Sequence, residues 1–145
     1  MSTNGDGAEI AADLFYSGHR MTPVRRALID IFTTHPNPLS IPELSTVLSG
    51  LGLKPHRVTL LRELDFLKEK RVIHQVDFTD GIPRYEDVEA PHHHHAVCVR
   101  CKKIEDIELR NEEIHLKEMT KSNKTFEVIN HVIEFLGICN ECKSV

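Results

Sequence analysis

The chain lacks three features that would each have placed it in a broad class. No apolar run reaches the roughly 20 residues that a membrane-spanning helix needs. No signal peptide opens the chain, whose first nine residues are small, polar and rich in glycine. Net positive charge is also missing, since the formal charge is −4 with histidines neutral. We therefore expect a soluble, cytoplasmic protein, and the total charge gives no indication of nucleic-acid binding.

The residues that are present suffice for a packed core. Hydrophobic residues make up 40% of 145 residues, enough for one ordinary domain or two small ones. Charge is unevenly distributed, because residues 18–71 carry nine Lys or Arg against five Asp or Glu. A locally basic segment in an acidic protein is compatible with DNA contact and equally with an ordinary solvated surface.

Helix signals recur through the first half of the chain. Apolar spacing predicts a helix over 8–17, and Thr22 before Pro23 is typical of an N-cap followed by proline at the first helical position. Ser40 is a second N-cap candidate, and Pro55 opens a fourth predicted helix. An i, i+3 stripe of this fourth helix should face a core. Its members are Val58, Leu61, Leu64 and Leu67.

The hydrophobic period then changes to that of strands. Residues 72–78 and 82–86 are strand candidates on either side of a turn at 79–81. Helices followed by a two-stranded hairpin are typical of the winged helix, a helix-turn-helix whose last helix enters the major groove of DNA. The sequence therefore predicts a winged-helix domain over 1–87.

The rest of the chain predicts a hinge and a small second domain. Strand-like segments lie at 96–99 and 102–109, a helix follows Asn111 as its cap, and alternation predicts a long strand over 125–138. The predicted fold class is thus α+β, with a hinge over 88–91 and an α/β domain over 92–145.

Four cysteines form two CxxC pairs: Cys98, Cys101, Cys139 and Cys142. Zinc prefers tetrahedral sulfur and nitrogen ligands, and each CxxC turn presents two sulfurs on one side of the backbone. Full coordination by protein leaves no open position, so this zinc would be structural and would stabilise a small domain. The alternatives are a redox pair or two local disulfides. A redox CxxC usually lies at a helix N-terminus, and neither pair is predicted to do so.

Four consecutive histidines, His92–His95, precede the first CxxC pair. Their number and mid-chain position do not suit a purification tag, but a solvated loop remains an alternative. In an extended segment His93 and His95 would point one way, and His92 and His94 the other. Since imidazole binds Zn, Fe, Mn, Ni and Cu, that geometry suits two metal sites lying back to back.

These motifs together resemble the ferric uptake regulator (Fur) family over residues 18–142. The opening GHRMTPVR is similar to the family pattern Gly-x-Arg-x-Thr-x-x-Arg, and TLLRELDFLKEKRVIHQVDFTDGIPRYE is similar to its recognition helix and wing without gaps. The CxxC pairs are similar to its structural zinc site. The resemblance implies a homodimeric repressor of iron or zinc homeostasis genes. Regulatory Fe²⁺, Zn²⁺ or Mn²⁺ at the hinge would lock the dimer in the form that binds palindromic operator DNA.

The resemblance also implies ligands for two further metal sites. The sensing site at the hinge would use Glu86, His93, His95 and Asp106. An additional site in the dimerization domain would use His92, His94, Glu113 and His131, with Glu112 in place of Glu113 if the alignment shifts by one residue.

The chain departs from the family pattern at two positions. Pro38 stands where the family often has a sensing histidine, and His74 at the start of the wing is a candidate replacement. Leu61 stands where the recognition helix usually has a DNA-contacting tyrosine. The candidate DNA contacts that remain are Arg57, Thr59 and Arg62, whereas Arg20 and Arg25 suit phosphate contacts or plain surface.

Two other functions fit parts of the pattern. A peroxide sensor of the same fold is one, but the resemblance implies that such sensors prefer aspartate where this chain has Glu86. A metal-dependent hydrolase is the other, and it would need an open coordination position and a general base. No HExxH or comparable motif occurs, so we expect no enzymatic activity.

Overall fold

The computed structural model describes residues 6–91, 93–121, 125–128 and 131–144, with the backbone alone at residue 113. The chain divides into two compact units, Met1–Pro91 and His92–Val145. Within the described part of the chain, no helix is long and apolar enough to cross a membrane.

Over its described residues, 6–91, the first unit contains four helices and three short strands. In chain order they are α1 (Gly7–Tyr16), α2 (Pro23–Thr34), β1 (Leu39–Ser40), α3 (Ile41–Gly50), α4 (Arg57–Glu69), β2 (Ile73–Asp77) and β3 (Pro83–Asp87). Both predicted N-caps are present. The Thr22 hydroxyl accepts from the Arg25 backbone N–H at 3.1 Å, and Ser40 forms a capping box with Glu43.

The predicted hairpin is confirmed as the wing of a three-stranded sheet. β2 and β3 pair antiparallel with His74 opposite Glu86, and the strand order is β1-β3-β2. β1 pairs with β3 through Leu39 and Ser40, which the sequence did not predict. A two-residue strand is too short to show a period, so only its tertiary partner reveals it.

The predicted core stripe of α4 is partly wrong. Leu64 and Leu67 are fully buried as expected, but Leu60 is buried in place of Val58, which is 58% exposed. Leu61 is only partly buried against the core. The buried series is therefore i, i+4, i+7, which follows the 3.6-residue period more closely than a strict i, i+3 series. α4 begins at Arg57, two residues later than predicted.

The second unit contains three strands and two helices among the residues described. They are β4 (His94–Cys98), β5 (Ile104–Ile107), α5 (Glu112–Thr120), β6 (Glu134–Gly137) and α6 (Asn140–Lys143). β4 is central in the order β5-β4-β6. It runs antiparallel to β5 and parallel to β6, with Cys98 opposite Gly137. This parallel pairing brings the C-terminal end of the chain beside the end of β4.

The long strand predicted over 125–138 is wrong over most of its described part. Residues 125–128 and 131–133 are not in a strand, and only Glu134–Gly137 pairs with β4. Phe126 is 70% exposed and Val132 is 87% exposed. Alternating apolar residues form a strand only where a neighbouring strand offers hydrogen bonds, and β4 does so over four residues.

The helix after Asn111 is present, but Asn111 does not cap it through its side chain. Its backbone is left-handed with φ at 59°, and its side chain makes no capping hydrogen bond. Asparagine tolerates this conformation better than most residues, which explains its place here. The short helix α6 was not predicted, because four residues are too few to show helical periodicity.

Candidate metal centres

The four cysteines form one cluster at the end of β4. All four sulfurs lie within 4.8 Å of one another, and the Sγ atoms of Cys101 and Cys139 are 3.6 Å apart. None of the four forms a disulfide. The two CxxC pairs therefore face each other, as one four-coordinate site requires, instead of forming two separate local pairs.

Backbone hydrogen bonds shape the first cysteine turn. The Lys102 N–H donates to the Cys98 carbonyl at 2.9 Å, and the Cys98 N–H donates to the Lys103 carbonyl at 2.9 Å. Lys102 has a left-handed φ of 65°, which closes the turn. The Val99 N–H donates to the Gly137 carbonyl at 2.9 Å and so attaches this turn to the end of β6.

The surroundings of the sulfurs shift the thiol pKa values of Cys98 and Cys142 in opposite directions. Backbone N–H groups of Cys101 and Cys139 donate to the Cys98 sulfur and lower its pKa to about 6. Hydrogen bonds with the sulfurs of Cys101 and Cys139 raise the pKa of Cys142 to about 12. A dication would compensate the negative charge of four thiolates at such close range. The cluster fits a structural zinc ion.

The second CxxC pair does lie at a helix N-terminus, contrary to expectation, because Cys139 is the N-cap of α6. The grouping of all four sulfurs is a stronger reason to favour zinc, because a redox pair needs only its own two thiols.

His93 and His95 lie together on one face of the chain at the start of β4. Their Nε2 atoms are 2.9 Å apart. The Asp106 carboxylate on β5 lies 3.9 Å from His93 Nε2 and 3.7 Å from His95 Nε2. The register of the sheet accounts for this, since His95 stands directly opposite Asp106. Two imidazoles and a carboxylate of the second unit thus converge, as the alternation of an extended segment predicts.

His94 points to the other face and meets a different carboxylate. Its Nε2 lies 2.6 Å from Glu112 Oε1, which also contacts His131 Nε2. These three side chains could hold a metal ion. Glu112, the alternative to Glu113, is thus the residue that the fold places here. His92 and the Glu113 side chain lie outside the described residues, so their predicted roles have no structural description.

In the first unit, Glu86 and His74 form a pair across the wing. His74 Nε2 lies 2.9 Å from Glu86 Oε1, and this hydrogen bond raises the pKa of His74. The Glu86 side chain is largely buried, whereas His74 is about half-exposed. Pro38 is buried immediately before β1. His35 lies in a local turn at the end of α2, with its Nδ1 2.9 Å from the Asn37 carbonyl.

The candidate DNA-binding residues of α4 are on the surface. Arg57, Thr59 and Arg62 are all exposed. Arg25 differs from them, because its guanidinium forms a double contact with Glu63 and lies 3.7 Å from the centre of the Phe66 ring. Arg25 is therefore a packing residue of the helical core and not a free surface cation.

The chain combines a winged-helix unit with a unit that carries clustered thiolate and imidazole donors. This combination defines a metal-responsive regulator that acts on DNA. The ferric uptake regulator family model matches residues 16–136. The chain belongs to this family, whose members are metal-responsive transcriptional regulators.

Individual relatives cover nearly the whole chain. It is 28% identical over 137 residues to the ferric uptake regulation protein of Bacillus subtilis, spanning 92% of this chain and 91% of that protein. It is 26% identical over 136 residues to the peroxide-responsive repressor PerR of Staphylococcus epidermidis, and the match spans 93% of this chain and 89% of that protein. A ferric uptake regulation protein and a peroxide-responsive repressor are thus similar to it at nearly equal identity.

A solved structure supports the fold. The Helicobacter pylori ferric uptake regulator Fur, described as having three functional metal binding sites, superposes with a TM-score of 0.78. It is 20% identical, and the match covers 94% of this chain and 90% of that one. At this identity the likeness establishes the α+β fold and leaves the ligands of this chain to be argued from its own residues.

Proposed function

We propose that this protein is a metal-dependent, DNA-binding repressor of metal homeostasis genes that acts in the cytoplasm as a homodimer and without catalysis. The observation that carries this proposal is the convergence of His93, His95 and Asp106. The two histidines closely follow residues 88–91, which connect the two units, and Asp106 joins them from β5. A metal bound there can influence how a winged helix is presented to DNA.

The proposed sensing site combines these three donors with Glu86 from the end of the wing. Two imidazoles and two carboxylates suit Fe²⁺, Mn²⁺ and Zn²⁺, so any of these can be the regulatory ion. Metal acts here by population shift, because it binds the DNA-competent arrangement of the two units more tightly than the others. A shift from 1:99 to 99:1 would require about 10⁴-fold tighter binding to the competent arrangement.

His74 is the proposed replacement for the ligand that is missing at Pro38. It stands beside Glu86 on the neighbouring strand, and its half-exposed ring has room to reorient. Proline has no side-chain donor and is buried before β1, so its own position cannot supply a ligand.

The proposed additional metal site uses His94, His131 and Glu112, with His92 and Glu113 as further candidates. Glu112 Oε1 already contacts Nε2 of both histidines, and two imidazole nitrogens with a carboxylate oxygen are a donor set that a divalent cation can take. A structural zinc ion at the four cysteines completes the metal content.

The dimer proposal is supported by exposed apolar side chains in the second unit. So many exposed apolar side chains on a small unit favour a protein–protein contact. They are Val99, Ile114, Met119, Phe126, Val128, Val132, Phe135, Leu136 and Ile138. Sedimentation of the zinc-loaded protein should show a dimer, and a monomer at micromolar concentration would contradict this part of the proposal.

DNA binding is assigned to α4 through Arg57, Thr59 and Arg62. All three are exposed on the helix that a winged helix inserts into the major groove. Arginine can bind guanine bidentately or contact phosphate, and threonine can contact either a base edge or a methyl group.

The central test is DNA binding by metal-loaded and chelated protein. Fluorescence anisotropy with operator-like duplexes should show affinity at least tenfold higher with Zn²⁺ or Mn²⁺ than with chelator. The double variant His93→Ala/His95→Ala should lose this dependence and keep zinc at the cysteines. His115→Ala, which removes an exposed histidine of α5, is the matched control and should behave as wild type. Affinity that is indifferent to metal in the wild-type protein would contradict the proposal.

A further inference from the structure

The surface of α4 carries one straight line of exposed side chains opposite its buried leucines. The buried residues are Leu60, Leu64 and Leu67. At about 100° per residue, the positions on the opposite side of the helix form the series i, i+4, i+7, i+11. Its members, all exposed, are Val58, Arg62, Asp65 and Glu69.

The two ends of this line differ in charge. Asp65 and Glu69 at the C-terminal end form ion pairs with nearby lysines, at 2.9 Å to Lys68 and 3.6 Å to Lys70. Carboxylates repel DNA phosphates, so this end is unsuited to close approach. Val58 and Arg62 at the other end carry no negative charge. The first two turns of α4 are thus the part that suits the major groove.

Val58 is the most exposed apolar side chain in these first two turns. It is 58% exposed, whereas Leu60 is buried and Leu61 is partly buried against the core. It therefore contributes little to the packing of the first unit. A branched apolar side chain at the outermost position of a helix would meet the floor of the groove when that helix enters it.

The major groove has one apolar recognition feature, the C5-methyl group of thymine. A valine cannot hydrogen-bond to a base edge or pair with a phosphate, so this methyl group is the partner of matching chemistry. Arg62 lies one turn further along the same line and can contact phosphate or guanine nearby.

We propose that Val58 is a specificity-determining residue that reads a thymine methyl group in each operator half-site. This inference rests on the proposed DNA-binding function and adds the base that α4 selects. Removing the thymine methyl group from this contact should lower the affinity for the operator about fourfold. When the methyl group is removed from both half-sites of an operator bound by a dimer, the two losses should multiply to roughly fifteenfold.

The test compares thymine with deoxyuridine, which differs only in lacking that methyl group. The operator is first selected from a random duplex library with zinc- or manganese-loaded wild-type protein. Each thymine is then replaced singly by deoxyuridine, and the affinity is measured for the wild type and for Val58→Ala. Wild type should lose about fourfold at one or two thymines per half-site. Val58→Ala should bind the two duplexes equally.

Val47→Ala is the matched control, because it makes the same truncation at a 36% exposed valine on α3. It should keep the wild-type preference for thymine, and thermal melting should show that all variants are folded. Thr59→Ser tests the rival assignment, because Thr59 is itself a proposed DNA contact and carries a methyl group.

Three results would overturn the assignment of Val58. They are a wild type indifferent to deoxyuridine at every position, a Val58→Ala protein that still prefers thymine, and a preference abolished by Thr59→Ser instead. In each of these cases metal-dependent DNA binding itself persists. If the wild-type protein selects no sequence with any metal, the proposed function fails and this assignment falls with it.

Discussion

The two units of this protein differ in what can stabilise them. The first unit buries apolar side chains from all four helices and from the wing. Among the described residues of the second unit, the buried apolar side chains are Val97, Cys98 and Ile104, and the buried polar ones are His94 and His95. A unit with so small a core needs another source of stability, and its residues offer metal ligation and, in the proposed dimer, burial of its exposed apolar side chains. We therefore expect the first unit to fold by burial and the second unit to depend on metal.

Removing metal should have the largest effect and should act on one unit. Under a strong chelator we expect amide hydrogen exchange in β4, β5 and β6 to accelerate on the order of a thousandfold or more, because the folded second unit loses its main constraint. Exchange in the first unit should change little. Mass spectrometry resolved by peptide checks this. Equal acceleration in the two units would show that they do not differ in the way described.

A cavity in the core of the first unit should destabilise that unit and leave the second unit unchanged. Leu64 is fully buried, and Leu64→Ala should destabilise that unit by about 2–5 kcal/mol through lost burial and an unfilled void. The zinc content, measured by a colorimetric assay after thiol modification, should stay at one ion for the four cysteines. Loss of zinc in this variant would mean that the two units fold as one.

Substitutions at Arg25 and Arg57 should distinguish a side chain that packs in the first unit from one that contacts DNA. Arg25→Ala leaves Glu63 without its guanidinium partner and exposes the Phe66 ring, so we expect a loss of about 1–3 kcal/mol in chemical denaturation. Arg57→Ala should leave stability unchanged and weaken DNA binding. A stable Arg25→Ala protein would contradict the packing role that the structure gives this side chain.

The helix caps offer the smallest and most local comparison. Thr22→Ala removes a capping hydrogen bond and should cost about 1 kcal/mol in the first unit. Asn111→Gly in the second unit removes no capping bond and suits a left-handed backbone, so it should be neutral or stabilising by up to about 1 kcal/mol. Thermal melting of both variants in the zinc-loaded form checks these signs.

Local signals in the sequence predicted the first unit well and the second unit less well. The N-caps at Thr22 and Ser40 and the hairpin after α4 follow from short-range chemistry that tertiary contacts did not alter. The long strand predicted over 125–138 failed, because apolar alternation does not reveal whether a pairing partner extends alongside. The prediction that Val58 faces the core was also wrong. The stripe that contains Leu60 shares Leu64 and Leu67 with the predicted stripe, so apolar spacing alone did not distinguish the two.

By itself the sequence determined the donor types, their spacing and the alternation of the histidines, because these depend on residue identity and on strand geometry. Only the tertiary structure decided which donors meet. The parallel pairing of β6 with β4 places Cys139 beside Cys98, and the position of α5 gives His94 the carboxylate of Glu112. Contacts between residues far apart in the chain depend on strand register and helix placement, which the packing of the whole unit sets.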